Sequence, residues 1–197
     1  FCQAKNRSKE YYLLKLIKMN TEENIVKLLK EKASTKQKVY RITKAVFSDF
    51  QEILKKKAST LNENVDDKNV EVSYDETGDF DAKFKFSGDT LLFHMHSNVF
   101  DFDKSHQVHQ TSYVKDDKMR SFCGVINIYN FLSDSLKYNR LNDAGFLIAR
   151  VFINKDNHFF VEGDKQLGFL FNDFVNQQID SSQIDKIVNA AITYSLN

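Results

Sequence analysis

His94 and His96 stand two residues apart in the run Leu91-Leu92-Phe93-His94-Met95-His96. On a β-strand, residues i and i+2 share a face, so both imidazoles could reach one divalent metal ion. Zinc or iron would need a third ligand, and His106, His109 or Asp101 lie close by in the chain. Against a metal stands Leu92, an apolar neighbour on the same face, and the lack of a second His/Glu pair at metal-site spacing. The alternative is two half-buried or surface histidines with no special role. Cys123 sits inside a strand pattern; a lone thiol there is either a small core residue or, with a lowered pKa and a spatial His partner, a nucleophile.

A second set of residues suggests a binding surface. Tyr129, Asn130, Tyr138, Asn139 and Arg140, followed by Asn142-Asp143, mix aromatic and amide groups. Arg150 lies between Ala149 and Val151 in an otherwise apolar strand, so it must face solvent or be paired. In the sharper of these readings its guanidinium grips a small anionic ligand or a protein partner's carboxylate. Nucleic acid could be met by the basic face of residues 36–57, with Lys36, Lys38, Arg41, Lys44, Lys55, Lys56 and Lys57. Aromatic residues for base stacking do not alternate with these lysines on the basic face, as a single-strand binder requires, and lysines opposite an apolar stripe are usually the wet side of a helix. The sequence lacks a phosphate-cradling glycine loop, a Gly-x-Ser-x-Gly elbow, His-Glu-x-x-His and Cys-x-x-Cys.

These residues need elements to position them. Residues 21–33 carry Ile25, Val26, Leu28 and Leu29 as a short amphipathic helix begun by Asn20 and Glu23 in a capping box. Ser34-Thr35 reads as a break, after which Val39, Ile42, Val46, Phe50, Ile53 and Leu54 form the apolar stripe of a helix over 36–57. The expectation is an N-terminal helical hairpin or one broken helix, then a polar linker over 58–68. The period then changes to two: Val70, Val72 and Tyr74, then Phe80, Ala82, Phe84 and Phe86, alternate with polar residues around Gly78. Strands follow at 91–102, 121–131 and 146–153, and the turn Asn154-Lys155-Asp156-Asn157 sends the chain back through 158–162. At the C-terminus Asp180 caps a helix whose face is Ile184, Ile187, Val188, Ala191 and Ile192. Helix, then hairpin-linked strands, then helix predicts an α+β fold: an antiparallel meander sheet of about five to seven strands with the C-terminal helix packed on it.

Composition sets the outer limits. The 197 residues suit one domain, with 42% hydrophobic and 28% charged residues, which excludes disordered, collagen-like and coiled-coil classes. There is no proline and no tryptophan, while residues with A/T-rich codons abound, which points to genome composition more than to structure. No apolar run approaches the roughly 20 residues that span a bilayer, so no membrane role is expected. Residues 1–57 hold 15 Lys/Arg against 6 Asp/Glu, and the remainder hold 13 against 21. Much of that asymmetry lies before Met19, the first methionine. Residues 1–18 are therefore expected to be a non-native upstream leader, and 19–197 one domain, helical over 19–57, sheet over 69–162 and helical over 165–197. The helical pattern is still running at Asn197, which predicts truncation there.

The stretches Leu91–Asp103, Gly124–Leu132 and Phe152–Gly163 together resemble a conserved-hypothetical bacterial family of Bacteroidetes type, over roughly 37–196. No activity, cofactor or site is attached to that family, so the resemblance implies only a cytoplasmic bacterial protein. The functional expectation is a cytoplasmic binding protein without a cofactor, acting through its sheet. The alternatives are a metal-dependent enzyme using His94 and His96, or weak nucleic-acid binding through 36–57.

Overall fold

Neither glycine nor proline occurs between residues 21 and 64, and the chain runs this whole stretch as one continuous helix. The computed structural model describes residues 21–67, 69–140 and 142–197; the expected leader over 1–18 and the Asn20 cap lie outside them. The expected helical hairpin is not formed. Serine and threonine at 34–35 are tolerated inside a helix, and nothing forces the chain to turn; a single π-helical turn, Leu29–Ala33, joins the two parts instead. The second part, α1 (Ser34–Asn64), buries Val39, Thr43, Val46, Phe47, Phe50, Leu54 and Ala58 on one stripe. It continues past residue 57, so most of the expected linker is helix. Ala58 and Leu61 prolong the apolar stripe there, and the Asn62 carboxamide both accepts from Val72 N at 3.0 Å and donates to Val72 O, tying the helix end to the first strand.

Six strands follow as an antiparallel meander in sequential order: β1 (Val72–Glu76), β2 (Asp81–Phe86), β3 (Asp89–Met95), β4 (Cys123–Leu132), β5 (Phe146–Asn154) and β6 (Phe159–Gly163). The α+β architecture is as expected. One face is sealed by α1 and by the C-terminal helix α5 (Ser181–Leu196), whose Ile184, Ile187, Val188 and Ala191 meet Phe84, Phe93, Ile126, Ile128 and Val151 in the main core. Asp180 caps α5 by accepting from Gln183 N at 2.7 Å, as its sequence predicts.

The opposite face is half covered. β3 is shorter than the 91–102 run suggested: the pairing ends with His96 N donating to Val125 O, and the chain then leaves the sheet. It returns only at the isolated bridge between Phe100 and Cys123. The excursion, carrying the 3-10 turn Gln107–Gln110, α2 (Ser112–Asp116) and the 3-10 turn Lys118–Ser121, lies over one end of β4–β6. There Val108 and Val114 form a second apolar cluster with Val125, Phe152, Phe160 and Phe174. Two short helices complete the described chain, α3 (Ser133–Lys137) after β4 and α4 (Gln166–Leu170) after β6. No helix among the described residues is long and apolar enough to cross a membrane.

Candidate binding cleft

Strand alternation places one residue of each strand from β2 to β6 in a single row on the half-covered face. Asp81 pairs with His94, His94 with Asn127, Asn127 with Arg150, and Arg150 with Glu162. Every member is polar, although the flanking positions on β4 and β5 (Ile126, Ile128, Ala149 and Val151) are buried apolar groups on the helix side. Neighbouring cross-strand side chains stand about 5 Å apart, so this row is a continuous polar track across the sheet.

The excursion walls one side of the track and encloses an open cleft of about 490 Å³. Its floor is Val125, Asn127, Tyr129, Arg150, Phe152 and Glu162; His96, Phe100, Asp101, Phe102, Asp103 and His106 form its sides. Aromatic contacts hold the wall in place. Phe102 stacks on His106 with ring centroids 4.5 Å apart and tilts against Phe152 at 5.1 Å, while Phe100 meets the His96 edge at 4.7 Å. Ser121 Oγ donates to Asp101 at 2.6 Å, and His109 Nε2 lies 2.9 Å from the Phe102 carbonyl. With the histidines neutral, three carboxylates (Asp101, Asp103, Glu162) face one guanidinium, a formal charge of −2 in the cleft.

The polar groups of the floor are incompletely bonded. Asn127 is only 8% exposed as a residue, and among the described residues its carboxamide has no hydrogen-bond partner within the protein, nor has the Tyr129 hydroxyl; neither is among the buried unpartnered groups, so both open onto the cleft. Arg150 reaches Glu162 only at 3.9 Å and His106 Nε2 reaches the other Glu162 oxygen at 3.7 Å, contacts beyond hydrogen-bond length. The far side of the excursion differs sharply. The Asn154 carboxamide donates to Tyr113 OH at 3.0 Å and to Arg120 O at 3.3 Å, and accepts from Asp156 N and His158 N at 2.9 and 3.1 Å. Arg120 there bonds Asp156 at 3.2 Å and the Tyr113 carbonyl at 2.8 Å, and sits over the Tyr113 ring. Lys155 pairs with Asp117, whose carboxyl is held below its ordinary value chiefly by that hydrogen bond. Asn154 is thus satisfied within the protein, whereas the Asn127 amide is left facing the cleft. One cluster is therefore built for stability, and the other leaves its bonding capacity open.

His94 and His96 do share a face, in an edge-on arrangement with ring centroids 6.4 Å apart. Each is engaged through Nδ1: His94 donates to Asp81 at 2.7 Å, and His96 accepts from Asn98 N at 3.0 Å. In their neutral forms these contacts leave the His96 proton on Nε2 and the His94 lone pair on Nε2. Among the described residues, no group of three or more His, Cys, Asp or Glu side chains is placed to hold a metal ion. Cys123 is fully buried, and that burial, then the Asp101 carboxylate, pushes its thiol pKa up, the opposite of nucleophile activation.

The five residues expected to form one surface fall into three places. Tyr129 and Arg150 lie in the cleft. Arg140 lines a separate hollow of about 580 Å³ with Lys83, Lys85 and Lys137 at the other end of the sheet, beside the exposed Tyr138, and pairs with Asp143 at 3.9 Å. Asn130, one position past Tyr129 and so on the other side of the strand, keeps a buried Oδ1 without a partner. On the basic helix, Lys38, Lys44, Lys56 and Lys57 are in ion pairs with Asp156, Asp79, Glu52 and Asp185. Sequence reasoning missed Asn127 and Glu162. Glu162 could have been found by pairing residues outward from the 154–157 turn, which sets it opposite Arg150; Asn127 carries no such mark, because its partners lie on strands distant in sequence.

Comparison with models of protein families, with curated proteins and with solved structures finds no match for this chain.

Proposed function

We propose that this is a cytoplasmic, non-catalytic binding protein and that the half-covered face of its sheet is where the ligand sits. The observation that carries this reading is the Asn127 carboxamide, which belongs to a residue only 8% exposed, opens onto the cleft, and makes no hydrogen bond within the protein. A ligand can pair with both its donor and its acceptor without first breaking a bond inside the protein. The cleft's volume falls in the range of small-molecule sites, about 300–1,000 Å³, and its aromatic walls with a few convergent polar groups match their usual lining.

The test is a titration of the isotope-labelled protein with a panel of small carboxylates, amines, amides and amino acids, followed through backbone amide shifts. Binding at the cleft moves the amides of Asn127, Arg150 and Glu162, and Asn127→Leu removes the response. If no compound moves them, or if the response survives Asn127→Leu, the reading is wrong.

A metal-dependent reading draws support from His94 and His96 facing the same way. Elemental analysis of protein purified without an affinity tag or chelator decides it. Near-stoichiometric zinc, iron or manganese that disappears in the His94→Ala, His96→Ala double variant, with a loss of stability, favours the metal.

A further inference from the structure

The ligand's chemistry follows from how the cleft's charges are already paired, given the binding reading above. Arg150 and Glu162 lie side by side on adjacent strands, 3.9 Å apart and unbonded to each other, with Asn127 next to Arg150 on the opposite side. An anion drawn to Arg150 would pull the guanidinium off Glu162 and leave that carboxylate facing it, in a cleft that already carries an acidic excess. A simple cation on Glu162 would leave the Arg150 charge facing an ammonium. A molecule carrying both charges on neighbouring carbons lies head-to-tail over the pair and neutralises both without unpairing either.

We propose that the cleft takes a small zwitterion of the α-amino-acid class with an apolar or aromatic side chain, its carboxylate on Arg150 and its ammonium on Glu162. Asn127, on the side of Arg150 away from Glu162, donates its Nδ2 to the same carboxylate. Asp103, exposed at the rim, adds to the attraction for the ammonium; Asp101 contributes less, since Ser121 already occupies one of its oxygens. The side chain lies against Phe100, Phe102 and Phe152, the apolar part of the lining.

Calorimetric titration with three related probes tests this: L-phenylalanine, 3-phenylpropionate (the same molecule without its ammonium) and phenethylamine (without its carboxylate). The amino acid binds at least about tenfold more tightly than either truncated probe. Glu162→Gln erases its advantage over 3-phenylpropionate, and Arg150→Gln erases its advantage over phenethylamine; both positions are half-exposed, so the variants fold. A truncated probe that binds the wild-type protein as tightly as the amino acid overturns the zwitterion and leaves the binding cleft intact. Failure of all three to bind at millimolar concentration overturns it as well, while the wider panel still decides whether the cleft binds anything.

Discussion

Asn127 and Asn154 are both more than nine-tenths buried, and they differ in what their amides touch. Asn154 has four partners and closes the turn after β5; Asn127 has none and lines a cleft. Cys123 belongs with the structural residues. Its thiol is fully buried beneath the excursion, and burial raises its pKa above the ordinary 9.0. Iodoacetamide at pH 8 should therefore leave Cys123 unmodified in the native protein and modify it after denaturation, as peptide mass mapping would show; rapid native labelling would contradict the burial. The linkage has a definite sign. The folded state favours the protonated thiol, so this contribution to stability is whole below pH 9.0 and declines as the pH rises above it, when the unfolded chain ionises first. Denaturant midpoints compared at pH 8 and pH 10 in the wild type and in Cys123→Ala should show a smaller fall in the variant.

At the scale of elements, the long helix is fixed on the sheet by one close approach. A methyl group on Gly124 would come within 2.0 Å of Thr43 Oγ1, so β4 and α1 meet where one residue has no side chain and the other is a buried threonine bonded back to Val39 O at 2.9 Å. Gly124→Ala should cost about 2 kcal/mol in denaturant unfolding, as overpacking does. Combined with Thr43→Ala it should cost less than the sum of the two, a coupling of about 1 kcal/mol; additive losses would mean the two surfaces are not in register here. At the helix's far end Asn62 imitates a strand backbone by bonding both polar groups of Val72. Asn62→Ala should speed amide exchange in β1 while leaving β4 and β5 protected; uniform acceleration would show that the edge strand depends on something else. The stripe of α1, the meander and the α5 cap were all legible in the sequence, because hydrophobic period and turn residues decide them locally. The unbroken run through Ser34-Thr35 was not, since serine and threonine serve a cap and a helix interior alike. The helical character of 58–64 was hidden by Asn62 and Asn64; the partner of Asn62 is Val72 on the first strand, and Asn64 bonds back to Thr60 O.

For the whole molecule, the open question was which parts of the sheet's second face would be buried. Alternation shows that Arg150, Tyr129 and His94 share a face, but the excursion of 97–121 decides what becomes core and what becomes cleft, and its path depends on contacts between Phe102, Phe152 and Phe160 that no local pattern encodes. This is why Tyr129 and Arg150 stand out in the sequence while Asn127 does not, and why Glu162 is reached only through the register of the 154–157 turn. The result is a sheet sealed by helices on one side and divided on the other: a bonded cluster around Asn154, then a polar track left open around Asn127.

That division can be measured without knowing the ligand, by denaturant unfolding of Asn127→Leu and Asn154→Leu beside the wild type. A binding position sacrifices stability for function, so replacing its amide, which makes no bond within the protein, with an apolar group of similar size should stabilise the free protein by about 1 kcal/mol. Asn154→Leu strands the groups it bonds and should destabilise by about 3 kcal/mol. Opposite signs are the predicted result. Destabilisation of similar size in both variants would make Asn127 part of the structural core and contradict the assignment of the cleft as a binding site.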